Sequence, residues 1–162
     1  MIRKHPPELL VLPEDDENRQ LAVGFSLHWA IKPRAIKVLP LANGWTKVLE
    51  SFKNNQLGDL RRRPERRLVL MMDFDGNAER LSYAMGHVPD DVRDRVFILG
   101  ARKEPQDVKR AMPKIGALEA IGTALAEDCR TNASAIWNHP ELACNSAELE
   151  RLNAAVKPWL FG

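Results

Sequence analysis

The sequence predicts an α/β fold: a mostly parallel four-stranded sheet flanked by helices, with a helical C-terminal third. Four short apolar runs carry this: LLVL (Leu9 to Leu12), IKVLPL (Ile36 to Leu41), LVLMM (Leu68 to Met72) and VFIL (Val96 to Leu99). Each has strand length, and near-continuous runs suit strands buried on both faces of a parallel sheet. Segments of helical periodicity separate them, giving the order β-α-β-α-β-α-β. The crossovers are longer than about a dozen residues, as parallel pairing requires. After the fourth run only helical patterns follow.

Taken in order, Glu17 to Trp29 places Leu21, Phe25 and His28 or Trp29 on one side at helical spacing. A second helix from about Gly44 to Lys53 groups Val48, Leu49 and Phe52, and a third is expected from about Ala78 to Gly86. The C-terminal patterns are Pro105 to Met112, Ala117 to Cys129 and Ser146 to Val156. The last has a start signal in which Asn145 caps and Glu148 reaches back. The charge run RRRPERR, Arg61 to Arg67, precedes the third strand. It reads as a solvated loop, or as a phosphate-contacting patch through Arg61, Arg62 and Arg63.

At 162 residues the chain reads as a single domain over 1–162, with a core at about 9–112 and a helical extension at about 113–162. A domain of this size buries roughly two-thirds of its unfolded surface. Hydrophobic residues at 44% and charged residues at 28% are ordinary for a folded protein and argue against disorder. Lys+Arg and Asp+Glu number 24 and 22, so net charge neither requires nor excludes nucleic acid. Cys129 and Cys144 lack CxxC spacing and read as reduced structural thiols, which implies a cytoplasmic location. No apolar run approaches the ~18 residues of a membrane span, and the one near the N-terminus is too short for a signal segment. Neither secretion nor membrane insertion is expected.

In open parallel sheets the ligand site lies beyond the carboxyl ends of the strands. Here the first run is followed by Glu14, Asp15, Asp16 and Glu17, the third by Asp73, Asp75 and Gly76, and the fourth by Lys103 and Glu104. Acids gathered at one edge repel unless a cation or proton relieves them. All-oxygen donors favour magnesium or manganese. Capping competes as an explanation: Asp15 to Glu17 sit where a helix begins, and Asp75 can cap the helix near Ala78. Asp73, still joined to the apolar run, is not explained that way, because that position is normally buried. Gly44 and Lys47 open the second helix beside this edge, where a helix N-terminus and an ammonium suit a phosphate.

An apolar strand ending in Glu14, a second strand followed by the glycine-led NGWTKVLESF, and a third ending in the DxD of Asp73 and Asp75 together resemble the Toprim domain of topoisomerases, bacterial primases and overcoming-lysogenization-defect nucleases. The resemblance spans about Leu9 to Met112 and implies a Rossmann-like, Toprim-like sheet. It further implies a divalent-metal-dependent nuclease acting on DNA or RNA. Asp73 and Asp75 would hold Mg2+ or Mn2+, Glu14 would bind metal or act as general base, and Glu104 would join the metal site. Lys103 or Arg102 would stabilise charge on the phosphate. Related nuclease domains often work with an ATPase, which implies such a partner in trans; a homo-oligomer is also open.

Two positions depart from the family. Asp15 stands where it usually has glycine, and Asn18 where a further acid is often found. They motivate the alternative of a non-catalytic interaction subunit. LLVLPEDDENRQL also resembles the first strand and acid pair of receiver domains, with Asp73 as phosphoacceptor and Asp15 and Asp16 holding magnesium. The fourth strand there ends in Gly100-Ala101 rather than Ser or Thr, and no fifth strand delivers the family lysine. MDFDGN resembles the haloacid-dehalogenase signature, but two strands precede it. The four histidines show no ligand spacing. Tyr83 lacks the separate domain a topoisomerase nucleophile needs, and Trp45, Trp137 and Trp159 read as core or interface anchors.

Overall fold

The computed structural model describes residues 5–162. Strands β1 (Glu8–Pro13), β2 (Ile36–Val38), β3 (Arg66–Met71) and β4 (Val96–Leu99) form one sheet in the order β2-β1-β3-β4. Every pairing is parallel, so the expected α/β architecture is the one observed. The helices are α1 (Asp16–Ser26), α2 (Trp45–Ser51), α3 (Leu57–Arg62), α4 (Glu79–Met85), α5 (Pro105–Ala111), α6 (Leu118–Thr131) and α7 (Ser146–Leu160).

Alternate strand residues feed two cores. Leu9, Val11, Val69, Phe97 and Leu99 pack with residues of α1, α5, α6 and α7, among them Leu21, Val108, Ile121 and Val156. Leu10, Leu12, Leu68, Leu70 and Ile98 pack on the other face with Val48, Leu49, Leu60 and Ala84 from α2, α3 and α4, and with Phe52. Covering both faces is why the strand sequences run apolar without alternation. Helices α6 and α7 complete the layer begun by α1, so the C-terminal third belongs to the core.

Several local expectations are corrected. Strand β2 stops at Val38: the Leu39 N–H still donates to the Val11 carbonyl, but Pro13 facing it has no N–H to return a bond, and the Pro13 carbonyl is taken by the Ala42 N–H. Helix α1 ends at Ser26, leaving His28 and Trp29 beyond it. His28 is nonetheless buried, its Nε2 2.5 Å from Glu127 Oε2 and its Nδ1 accepting from the Ala30 N–H, whereas Trp29 is exposed. The second helix does not end near Lys53. It passes through a π-helical turn, Phe52–Gln56, into α3. RRRPERR is therefore not a loop throughout: Arg61 and Arg62 end α3, and Arg66 and Arg67 begin β3.

The capping box at α7 does not form. Asn145 is buried, its amide accepting from the Gly100 N–H and donating to the Gly100 carbonyl, each at 2.9 Å, while Glu148 pairs with Arg151 at 2.6 Å. One amide thus satisfies the backbone N–H and C=O of a buried residue just past β4, which outweighs a surface cap. Cys129 and Cys144 are both free thiols. No helix of the described residues is long and apolar enough to cross a membrane.

From β2 the chain crosses to β3 on the opposite side of β1. The strand order reverses there, so the carboxyl ends of β1 and β3 border the crevice in which open α/β sheets bind ligands.

Candidate functional site

The register pairs Pro13 with Met71, so Glu14–Asp15 and Met72–Asp73 leave the sheet side by side. The Glu14 N–H donates to the Met71 carbonyl at 2.9 Å, and the Asp73 N–H donates to Glu14 Oε1 at 2.9 Å. A backbone link between the strands thereby aims the Glu14 side chain across the gap. Carboxylate oxygens of Glu14, Asp15 and Asp73 all lie within 4.8 Å of one another, with Asp73 buried and the other two half-buried.

Asn18, in the first turn of α1, binds two of these acids. Its N–H donates to Asp15 Oδ1 at 3.0 Å, as expected of an N-cap. Its Nδ2 donates to the same Asp15 oxygen and to Asp73 Oδ1, each at 2.9 Å. Asn18 is wholly buried, and its Oδ1 has no hydrogen-bond partner among the described residues. An orphan buried oxygen is costly, and here it stands on a residue already bonded to two carboxylates.

Burial pushes the Asp73 carboxyl up to about 7, against the lowering effect of the Asn18 hydrogen bond and with the charges of Glu14, Asp15 and Asp75 adding to it. Burial likewise raises Glu14, opposed by the Asp73 N–H and reinforced by Asp15 and Asp75. The cluster is thus held by a proton, one amide and backbone donors.

Asp75 stands outside this group of three. It adopts the left-handed conformation, φ 49°, which aspartate tolerates better than most residues, and its exposed carboxylate pairs with Arg80 at 2.7 Å. Nor does it cap α4, since Asn77 Oδ1 takes the Glu79 N–H instead. Arg80 also donates to the Asp73 carbonyl at 2.8 Å, clamping the loop between the two aspartates. The other side of that loop is held by the chain after β4. The Phe74, Asp75 and Gly76 N–H groups donate to the carbonyls of Ala101, Lys103 and Arg102. Gly100 permits this approach, because a Cβ there would lie 1.7 Å from the Met72 carbonyl oxygen.

Glu104 is exposed just before α5 and also stands outside the acid group. Lys103 is exposed on the same loop and makes no ion pair among the described residues, while Arg102 is engaged with Glu141 at 2.7 Å. At the entry to α2 the Asn43 and Gly44 N–H groups donate to the Glu14 carbonyl at 2.7 and 3.3 Å, and Lys47 pairs with Glu50 at 3.4 Å. Arg61, Arg62 and Arg63 pair with Asp91, Asp59 and Glu8 respectively. They lie at the amino end of β3, a strand length of roughly 20 Å from its carboxyl end, and so do not join the acids.

The carboxylate that completes the cluster is Asp15, and its supports are Asn18 and Arg80. The spacing D-x-x-N at a helix start is the one sequence signal for the Asp15–Asn18 bond. Nothing in the sequence signals Arg80. No family model, curated protein or solved structure matches the chain.

Proposed function

We propose that this chain is a divalent-metal-dependent phosphodiester hydrolase of Toprim type, acting on nucleic acid. The observation that supports it most is the convergence of Glu14, Asp15 and Asp73 within 4.8 Å at the point where the strand order reverses. The donor set suits Mg2+ or Mn2+: it is all oxygen, it is small enough to leave positions for water and phosphate, and the orphan Asn18 Oδ1 adds an unclaimed oxygen beside it. Glu14, Asp15 and Asp73 would hold the ion. A metal bound there supplies charge neutralisation and lowers the pKa of a bound water.

The chain's own groups do the rest. Glu14, raised by burial and bonded through Oε1 to the Asp73 N–H, keeps Oε2 for a proton from the attacking water. Lys103, exposed on the loop after β4, would meet charge developing on the phosphate. Arg80 fixes the Asp73–Asp75 loop and so keeps the acids in position. The test is cleavage of plasmid DNA and of RNA in manganese by wild type and Asp73→Ala. Cleavage lost in the variant supports the reading, whereas equal activity in both, or no cleavage with no ion bound, sinks it.

One observation favours the non-catalytic alternative: the Asn18 amide already satisfies two of the acids without a metal. Its signature in the same experiment is an intact fold, no bound manganese and no cleavage. The receiver arrangement finds less support. Asp16 turns outward to Arg19 and Gln20, so only Asp15 of the acid pair faces Asp73.

A further inference from the structure

Next to the acid group is a line of aromatic rings that the metal chemistry does not use. Arg80, Tyr83 and His87 recur at helical spacing, i, i+3 and i+7, from the start of α4 to just past its end. The Arg80 guanidinium lies 4.4 Å from the centre of the Trp45 ring. Trp45 and Tyr83 meet edge to face with centroids 5.6 Å apart, and Tyr83 and His87 do so at 4.7 Å. Trp45 is partly buried against the core beneath, but Tyr83 is 56% exposed, one of the few large apolar side chains left open. Arg80 ties this ladder to the acids, since the guanidinium beside the Trp45 ring also bonds the Asp73 carbonyl and the Asp75 carboxylate.

We infer that Trp45, Tyr83 and His87 form a stacking surface for unpaired bases, and that the substrate of the neighbouring acids is single-stranded nucleic acid. This rests on the proposed phosphodiester chemistry of that site. Aromatic faces beside cations are how proteins hold single strands without reading sequence, because every base offers a π-face and every linkage a negative charge. A duplex cannot use the surface, since its bases are already stacked and paired. Two cations border the surface: Lys47, two residues after Trp45 and paired with exposed Glu50 at 3.4 Å, and Lys103, exposed with its stem near Gly76, at the turn leading into α4.

The test is fluorescence anisotropy with a labelled 15-residue oligothymidylate, at low salt in a chelator so that metal takes no part. An abasic strand of equal length and a duplex serve as controls. Tyr83→Ala is expected to weaken binding of the thymidylate about tenfold and to leave the abasic strand unchanged, while Tyr83→Phe retains wild-type affinity. Equal binding by wild type and Tyr83→Ala, equal binding of thymidylate and abasic strands, preference for duplex, or no binding at all overturns the inference. Tyr83 is at the surface, so its variants fold. The two proposals separate cleanly. Manganese-dependent cleavage with no effect of Tyr83→Ala leaves the metal site standing and removes the stacking surface; a Tyr83→Ala defect without any cleavage does the reverse.

Discussion

A carboxylic acid at position 73 costs the folded state free energy at neutral pH, and that cost has a sign that can be measured. Its pKa rises from 3.8 in an open chain to about 7 in the fold, chiefly because it is buried. Between those values the unfolded chain has lost the proton and the native one has kept it. Stability therefore falls as pH climbs from about 4 to about 7 and is level above, a loss of up to about 4 kcal/mol. Asp73→Asn removes the titration while keeping an oxygen for the Asn18 amide. The variant is expected to melt several degrees above wild type at pH 8 in chelator and to match it near pH 4. Parallel melting curves at all pH values would show that Asp73 ionises as an ordinary surface acid. Asn18 has the opposite role, because its amide donates to both Asp15 and Asp73. Asn18→Ala strips those donors and is expected to lower stability by about 1–3 kcal/mol in chemical denaturation. An unchanged midpoint would mean that the two acids do not rely on it.

Among elements, the contact between α1 and α6 is the most exacting. A Cβ on Gly24 would lie 1.9 Å from the Glu119 carbonyl oxygen, and one on Gly122 would lie 2.1 Å from that of Leu21. The two backbones meet through paired glycines, with the Thr123 hydroxyl donating to the Gly24 carbonyl at 2.8 Å. Gly122→Ala must push the helices apart, and a loss of about 1–3 kcal/mol or more is expected in urea unfolding. A neutral effect would mean that the helices slide without cost. This contact also shows what could be read from the sequence. The strands were legible because burial on both faces writes itself as unbroken apolar runs, and β4 was expected at Val96 to Leu99, where it lies. Helix α3 was hidden because the π-helical turn through KNNQ breaks the apolar spacing between Phe52 and Leu60. The glycines were ambiguous for a different reason, since a helical glycine looks alike whether it faces water or a neighbouring backbone. In the site, Glu14 and Asp73 were legible as acids ending strands. The Asn18 bond to Asp73 was not, because it joins elements 55 residues apart, nor were the Arg80 bonds to Asp73 and Asp75, which depend on the left-handed turn at Asp75 and Gly76 rather than on a regular spacing.

At the scale of the whole molecule, the crossing from β2 to β3 over β1 makes the acid cluster a junction between the two halves of the sheet. A ligand there that binds only the folded chain stabilises the entire cooperative unit. At a hundred times its dissociation constant such a ligand adds about 2.7 kcal/mol. For a domain of this size that is a rise in melting temperature of roughly 5–10 °C. The ion must also displace the Asp73 proton, so the apparent affinity for manganese is expected to climb with pH until about 7 and then level. Titration calorimetry at pH 6, in buffers of different ionisation enthalpy, should show about one proton released per ion, declining toward none by pH 8.5. In Asp73→Asn that linkage should disappear along with most of the binding. If manganese instead raises the melting temperature equally in wild type and variant, the ion sits elsewhere, and the acids at the junction of β1 and β3 rely on the Asp73 proton, the Asn18 amide and backbone donors.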